Sequence, residues 1–207
     1  MSIFVDYKII PVINFSSIEE VDSLLLFLRE IDHKIVEITL RNEKSFQFIE
    51  YAKANYKDFK IGVGTIINEL QLEKAINLGV DFLVSPGYTK NLLSYLKNRN
   101  VQNSGIPYIP GASTISEIME LIENDFRVIK LFPINIIGGI DFIKSINPLL
   151  KEHKIKFIPT GGITFDNIKT YLEIPNVIAC GSGQIFADHF SNREKIKNII
   201  KKEVKSI

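Results

Sequence analysis

The sequence predicts an α/β protein that folds as a single-domain (β/α)8 TIM barrel over residues 1–207. Eight short runs rich in β-branched residues alternate with longer segments of helical periodicity. No linker rich in Pro, Gly or Ser divides the 207 residues, a length that can bury one core. A doubly wound open sheet is the main alternative, because periodicity alone does not show whether a sheet closes.

Each predicted strand is a short apolar run bounded by turn residues or by a helical segment. The runs lie at 8–14, 34–41, 59–65, 81–87, 106–113, 127–133, 155–162 and 176–183.

The predicted helices begin at capping residues. A Ser or Thr followed three residues later by Glu is typical of a capping box, and this pattern occurs at Ser17, Thr114 and Ser191. Simple N-caps are predicted at Asn68, Thr89 and Thr164, and a C-terminal stop at Gly79.

Composition excludes several classes of function. The 25 basic and 24 acidic residues leave a net charge of +1, which gives no electrostatic reason for a nucleic-acid or anionic-membrane partner. A single cysteine, Cys180, excludes an intramolecular disulfide and suits a reducing compartment. The N-terminus lacks a signal-peptide pattern, and no apolar run reaches membrane-spanning length. These features predict a cytoplasmic protein.

The run RVIKLFP at 127–133 places a lysine, Lys130, inside an apolar strand. In the run KIVEITLR at 34–41, alternate positions form one unbroken apolar face, which leaves Glu37 and Arg41 on the other. The uniformly apolar face of a barrel strand packs on helices. We therefore expect Lys130, Glu37 and Arg41 to face the barrel interior.

Three interpretations of Lys130 follow. Its stem can run to water at a strand end, or it can pair with Glu37, although buried pairs add little stability. The third is a buried amine that attacks a carbonyl carbon to form a Schiff base. Alternation alone does not choose among these.

Two glycine-containing loops favour the third interpretation. Residues 160–162 (TGG) follow the seventh run, and residues 181–183 (GSG) follow the eighth. The loops after these two strands of a (β/α)8 barrel often bind phosphate, and glycine allows the backbone N–H groups to approach an anion. The pair therefore indicates a phosphorylated ligand.

These features occur within an ordered series of motifs that resembles the 2-keto-3-deoxy-6-phosphogluconate (KDPG) aldolase family, which includes 4-hydroxy-2-oxoglutarate aldolases. The resemblance runs from about residue 9 to residue 185. The motifs are EITLR (37–41), GVGT (62–65), SPG (85–87), IPG (109–111), KLFP (130–133), GG (138–139) and PTGG (159–162).

The resemblance implies a class I aldolase on a (β/α)8 barrel, commonly a homotrimer and without a metal or cofactor. It implies cleavage of KDPG to pyruvate and glyceraldehyde 3-phosphate, and of 4-hydroxy-2-oxoglutarate to pyruvate and glyoxylate. It assigns imine formation to Lys130 and acid/base chemistry to Glu37. The implied substrate-binding residues are Arg41 for the pyruvyl carboxylate, Thr65, Pro86 and Phe132 around the pyruvyl group, and Gly161, Gly162 and Ser182 for the phosphate.

The chain departs from the family pattern at three places. The family's last phosphate motif more often reads GGS, so Ser182 corresponds across a one-residue offset. The segment before the first strand is short, which predicts that a helix covering the barrel bottom is missing. Residues 135–137 (NII) replace a more polar stretch, which is expected to alter preference for the hydroxylated part of the substrate.

Two other functions stay open at this point. One is isomerase or synthase chemistry on a phosphate-binding barrel, which would not need an interior lysine. The other is a non-catalytic sensor of phosphorylated sugar acids. His33, His153 and His189 lack metal-ligand spacing, and each is expected on the solvated surface.

Overall fold

The computed structural model describes residues 3–99 and 105–204, and across them strands alternate with helices. The strands are β1 (Ile9–Ile13), β2 (Ile35–Thr39), β3 (Lys60–Gly64), β4 (Phe82–Val84), β5 (Tyr108–Ile109), β6 (Gly111–Ala112), β7 (Val128–Leu131), β8 (Lys156–Pro159) and β9 (Cys180–Ser182). Every one of the predicted runs contains a strand, so the predicted alternation is confirmed.

The helices lie between these strands and at both ends of the described chain. They are α1 (Ile3–Asp6), α2 (Ile18–Glu30), α3 (Ser45–Asn55), α4 (Glu69–Asn77), α5 (Lys90–Asn98), α6 (Ile115–Glu123), α7 (Gly139–Leu150), α8 (Ile168–Leu172) and α9 (Arg193–Val204). No helix within the described residues has the length and apolar character needed to cross a membrane.

The strands are parallel and form two sheets. One has the order β5-β4-β3-β2-β1-β9, and the other has the order β6-β7-β8. The first and last strands therefore pair, with Ile9 opposite Cys180 and Pro11 opposite Ser182. This sequential order differs from the reversing order of a doubly wound sheet.

The predicted run at 106–113 is one extended segment that Pro110 divides into β5 and β6. On one side, the N–H of Ser85 donates to the carbonyl of Ile109 at 3.0 Å. On the other side, the N–H of Lys130 donates to the carbonyl of Pro110 at 2.9 Å. Proline has no N–H to contribute to a ladder. The segment nonetheless lies between the two sheets and bonds to both.

The two faces of the strands pack into different apolar clusters. The inner cluster comprises Phe4, Ile10, Ile35, Phe82, Val84, Ile109, Val128, Ile158 and Ala179. The outer cluster joins the other strand face to the helices and includes Val36, Ile38, Ile129 and Leu131. Because Glu37 and Lys130 alternate with these outer residues, they lie on the inner face, as predicted.

The N-terminal segment contradicts the expectation that no helix covers the bottom of the sheet. The single turn α1 carries Phe4, which is 1% exposed and belongs to the inner cluster. Its ring packs edge-on against Phe82 with centroids 5.5 Å apart. The short helix α1 therefore covers the bottom of the sheet through one buried aromatic side chain, that of Phe4.

The capping predictions are confirmed in part. Ser17, Asn68, Thr89 and Thr114 each accept a hydrogen bond from the N–H three residues later, and Thr114 forms a full capping box with Glu117. Gly79 has φ +65° just past α4, as a C-terminal stop requires. The predictions for Ser191 and Thr164 are wrong: α9 begins at Arg193 and α8 at Ile168, so each helix starts later than its cap pattern indicated.

The histidines differ from the surface positions predicted for them. His153 is exposed. His33 is 2% exposed, and its Nε2 donates to the carbonyl of Ile9 at 2.7 Å. His189 is half-buried, with its Nε2 2.8 Å from the hydroxyl of Ser23. The surface prediction therefore holds for one of the three.

Candidate active site

A buried cation and a buried carboxylate meet on the inner face. Lys130 on β7 is 4% exposed and Glu37 on β2 is 3% exposed. Nζ of Lys130 donates to Oε1 of Glu37 at 3.2 Å. Nζ also lies 5.4 Å from the centre of the Phe132 ring, which is close enough for a cation–π contact. The lysine is therefore paired inside the protein and does not run to solvent.

The space for this pair comes from glycine on β3. A Cβ atom at Gly64 would lie 2.1 Å from Oε1 of Glu37. Gly64 belongs to the GVGT motif, but the motif alone predicted no role for it. A signal existed, since glycine weakens a strand interior and marks a close approach by another group.

The loop after β7 and the loop after β8 lie against each other. The N–H of Ile134 donates to the carbonyl of Thr160 at 2.9 Å, and the N–H of Asn135 donates to that of Gly161 at 3.0 Å. Gly161 and Gly162 both have positive φ, 92° and 89°. A Cβ at Gly162 would lie 2.3 Å from Cβ of Asn135, so only glycine at position 162 lets the two loops pack this closely.

The region 135–137, where the chain departs from its family, extends from this contact to solvent. Asn135 packs on Gly162, and Ile136 is 81% exposed. An apolar side chain thus stands at the edge of the loop that follows the lysine strand.

Arg41 lies beyond the strand face on which it was predicted. β2 ends at Thr39, so Arg41 lies two residues beyond the strand, and its side chain is exposed. Strand alternation does not extend past the last ladder residue, so it does not assign Arg41 to either face. Arg41 forms no salt bridge with the residues described, so its guanidinium is available to a ligand at the carboxyl end of β2.

Thr65 and Pro86 also follow the carboxyl ends of strands. Thr65 comes directly after β3 and has φ +65°, a strained value for a β-branched residue. Pro86 follows β4, and its carbonyl oxygen would lie 2.1 Å from a Cβ at Gly111. Both residues are half-buried. Glu37, Lys130 and these loops therefore belong to the same end of the sheet, where parallel strands gather their functional loops.

Ser182 has two backbone partners. Its hydroxyl donates to the carbonyl of Ile163 at 2.7 Å and accepts from the N–H of Ile185 at 3.1 Å. The side chain is 2% exposed. A hydroxyl has one proton to donate, and this one binds the loop after β8 to the turn after β9.

The arrangement can support carbonyl chemistry. A buried amine can add to a ketone, and the carboxylate in contact with it can accept and return protons within hydrogen-bond reach. An exposed guanidinium at the same end of the sheet suits an anionic substrate group.

Comparison with known proteins agrees with this geometry. The family model described as KDPG and KHG aldolase matches residues 1–202. The 2-dehydro-3-deoxy-phosphogluconate aldolase of Haemophilus influenzae is 32% identical over 176 residues, which cover 85% of this chain and 80% of that protein. The KHG/KDPG aldolase of Escherichia coli is 30% identical over 180 residues, 87% of this chain and 81% of that protein.

A solved structure extends the similarity to three dimensions. The KDPG aldolase of Legionella pneumophila superposes with a TM-score of 0.83 at 30% identity, covering 100% of this chain and 96% of that one. In that crystal, pyruvate was captured as a covalent carbinolamine intermediate. The chain described here belongs to the KDPG and KHG aldolase family, lyases that catalyse aldol cleavage.

Proposed function

We propose that this protein is a Schiff-base aldolase that cleaves KDPG to pyruvate and glyceraldehyde 3-phosphate. The observation that carries the proposal is the buried contact of Lys130 with Glu37 at 3.2 Å. The family description and the name of the Escherichia coli relative support a second substrate, 4-hydroxy-2-oxoglutarate, which would give pyruvate and glyoxylate.

Lys130 is the nucleophile in this mechanism. After its ammonium has lost a proton to solvent, the free amine of Lys130 attacks C2 of the substrate to give a carbinolamine. The carbinolamine takes up a proton and loses water, which leaves an iminium whose nitrogen is an electron sink. No residue other than Lys130 is needed to form the covalent bond.

Glu37 moves the remaining protons. It accepts the proton of the C4 hydroxyl, the C3–C4 bond breaks, and the bonding electrons pass into the iminium to form an enamine. The aldehyde leaves. Glu37 then returns a proton to the enamine carbon, and hydrolysis releases pyruvate and the amine.

The proposed binding residues follow the substrate from its carboxylate end to its phosphate end. Arg41 binds the pyruvyl carboxylate, and its planar fork suits a bidentate contact. Thr65, Pro86 and Phe132 surround the pyruvyl group. The N–H groups of Gly161 and Gly162 bind the phosphate.

We further propose that residues 1–207 form one domain in which the two sheets close into a (β/α)8 barrel. The segment divided by Pro110 bonds to both sheets on one side. On the other side, isolated parallel bridges join Phe157 to Val177 and Thr160 to Gly181. These contacts support a ring of eight strands when β5 and β6 count as one.

A homotrimer and a cytoplasmic location are also part of the proposal. Ile67 and Leu70 are 58% and 84% exposed, next to a groove lined by Tyr88 and Leu92. Exposed apolar patches of this kind are typical of surfaces that a partner covers. Light scattering on the wild type and on Leu70→Lys tests the trimer.

Borohydride trapping tests the mechanism. Incubation with pyruvate and borohydride should add one reduced adduct, which peptide mass mapping places on Lys130. Lys130→Met should abolish it, whereas Lys156→Met, at an exposed position on β8, should not. Labelling of another lysine, or of none, would refute the assignment of Lys130 as the nucleophile. Binding of KDPG without cleavage would indicate a non-catalytic sensor of phosphorylated sugar acids.

A further inference from the structure

We infer that Gly64 is a positioning residue for the aldol reaction: its missing side chain leaves the space in which the Glu37 carboxylate lies beside Lys130. The inference rests on the proposed role of Glu37 and adds a second residue to it. Gly64 itself takes no chemical part in the proposed mechanism.

The contact is between neighbouring strands. β2 and β3 pair in parallel, with Glu37 opposite Gly62 and Thr39 opposite Gly64. A Cβ atom at Gly64 would lie 2.1 Å from Oε1, 2.7 Å from Cδ and 2.8 Å from Cγ of Glu37. The Glu37 side chain therefore lies across the bare Cα of Gly64, two positions beyond its own partner in the ladder.

Space, and not backbone freedom, is the reason for glycine here. Gly64 is the last residue of β3, and unlike Gly161 and Gly162 it does not have a positive φ. Gly62 offers a comparison on the same face, where a Cβ would lie 2.1 Å from the ring of Phe82. The inner face of β3 is bare at both positions, and side chains of the two neighbouring strands cover it.

Neither partner can move aside easily. The carbonyl of Gly64 accepts from the N–H of Leu40 at 3.0 Å, which holds its backbone against β2. Glu37 is buried and in contact with Lys130. A methyl group at position 64 would therefore push the carboxylate oxygen by about 1 Å or more, a displacement of the size that costs about 10²-fold in rate.

The first test is Gly64→Ala, assayed by aldol cleavage. We expect kcat to fall by about 10²-fold and KM to change by less than about threefold, since the carboxylate-binding and phosphate-binding groups are untouched. Gly87→Ala is the matched control, because a Cβ at Gly87 meets no atom within 4 Å and its φ is not positive.

A double variant separates positioning from general damage. Aspartate is one methylene shorter than glutamate and withdraws its carboxylate from position 64. In the wild-type background, Glu37→Asp should lower kcat. In the Gly64→Ala background, the same substitution should lower kcat no further or should partly restore it. Likewise, Gly64→Ala should lower Tm when Glu37 is present but not in the Glu37→Ala background. The Tm comparison gives an answer even where activity is lost.

Independent effects of the two positions on both kcat and Tm would overturn the inference, as would normal turnover in Gly64→Ala. The proposed function fails in a different way. If Glu37→Gln keeps full activity, Glu37 is not the proton carrier; if Glu37→Gln is slow and Gly64→Ala is normal, only the positioning role is wrong.

Discussion

Nζ of Lys130 lies 3.2 Å from Oε1 of Glu37, although 93 residues separate them and their strands do not pair with each other. An ion pair this deeply buried adds little net stability, because desolvation offsets the attraction. Loss of one partner, however, leaves a charge buried alone. The pair is therefore better explained by chemistry that uses both groups, and it makes each of them testable.

Glu37 should move protons without being needed for imine formation with pyruvate. Glu37→Gln keeps the shape of the side chain but cannot accept a proton. We expect kcat to fall by about 10²–10⁴-fold, the usual scale for a general acid–base group, while borohydride still traps pyruvate. A coupled lactate dehydrogenase assay measures the loss. Glu50→Gln, at an exposed position on α3, is the control, and near-normal activity in Glu37→Gln would contradict the role.

Arg41 should bind the carboxylate that all substrates of this enzyme share. Arg41→Ala is expected to impair pyruvate trapping and cleavage together, on phosphorylated and unphosphorylated substrates alike. Arg41→Lys should recover only part of the activity, because an ammonium lacks the bidentate fork. Side-by-side kinetics on KDPG and 4-hydroxy-2-oxoglutarate measure this. A defect limited to KDPG would place Arg41 at the phosphate end.

Much of the fold could be predicted because strand signals are local. Each predicted run contains a strand, and the alternation that put Lys130 and Glu37 on one face holds through the ladder. The same rule does not reach Arg41, because β2 ends at Thr39 and the end of a ladder depends on its neighbours.

The positions of Gly64, Phe4 and His33 were not predicted, because each depends on contacts between segments that are distant in the sequence. A glycine inside a strand signals that another group approaches closely, but nothing near Gly64 in the sequence indicates that this group is a side chain from β2. Phe4 is likewise a single aromatic residue in a short segment, and only the inner cluster gives it a function. His33 is buried because the turn after α2 packs on β1. Periodicity carries no information about such packing.

His33 should make stability depend on pH. Burial lowers its pKa from 6.5 to about 4, although the hydrogen bond to the carbonyl of Ile9 and the nearby Asp32 carboxylate act in the opposite direction. Between these two pH values, His33 is protonated in the unfolded chain but neutral in the folded chain. The free energy of unfolding should therefore fall on acidification from about pH 6.5 to pH 4, by about 3 kcal/mol from this residue.

Urea unfolding at several pH values between 7 and 4 measures this effect. His33→Gln keeps an N–H donor for Ile9 but does not titrate, so the difference between the two curves isolates the histidine from carboxylates that titrate in the same range. His153→Gln, at an exposed site, should follow the wild type. Parallel curves for the wild type and His33→Gln would show that the His33 pKa is not lowered.

The variant Ser182→Ala distinguishes a role of this hydroxyl in phosphate binding from a structural role. The family resemblance implied that its hydroxyl binds the phosphate, but in the structure the hydroxyl donates to the carbonyl of Ile163 and accepts from the N–H of Ile185. Ser182→Ala would leave a buried carbonyl and a buried N–H unpaired, at a cost of about 1–3 kcal/mol each. We therefore expect a lower Tm, and losses of kcat/KM that are equal on KDPG and 4-hydroxy-2-oxoglutarate. Loss of a contact to phosphate would instead cost about tenfold or more on KDPG alone, since a hydrogen bond to a charged group contributes about 1.5–3 kcal/mol. Kinetics on both substrates decide between these roles, and a loss confined to KDPG would restore Ser182 to the phosphate site.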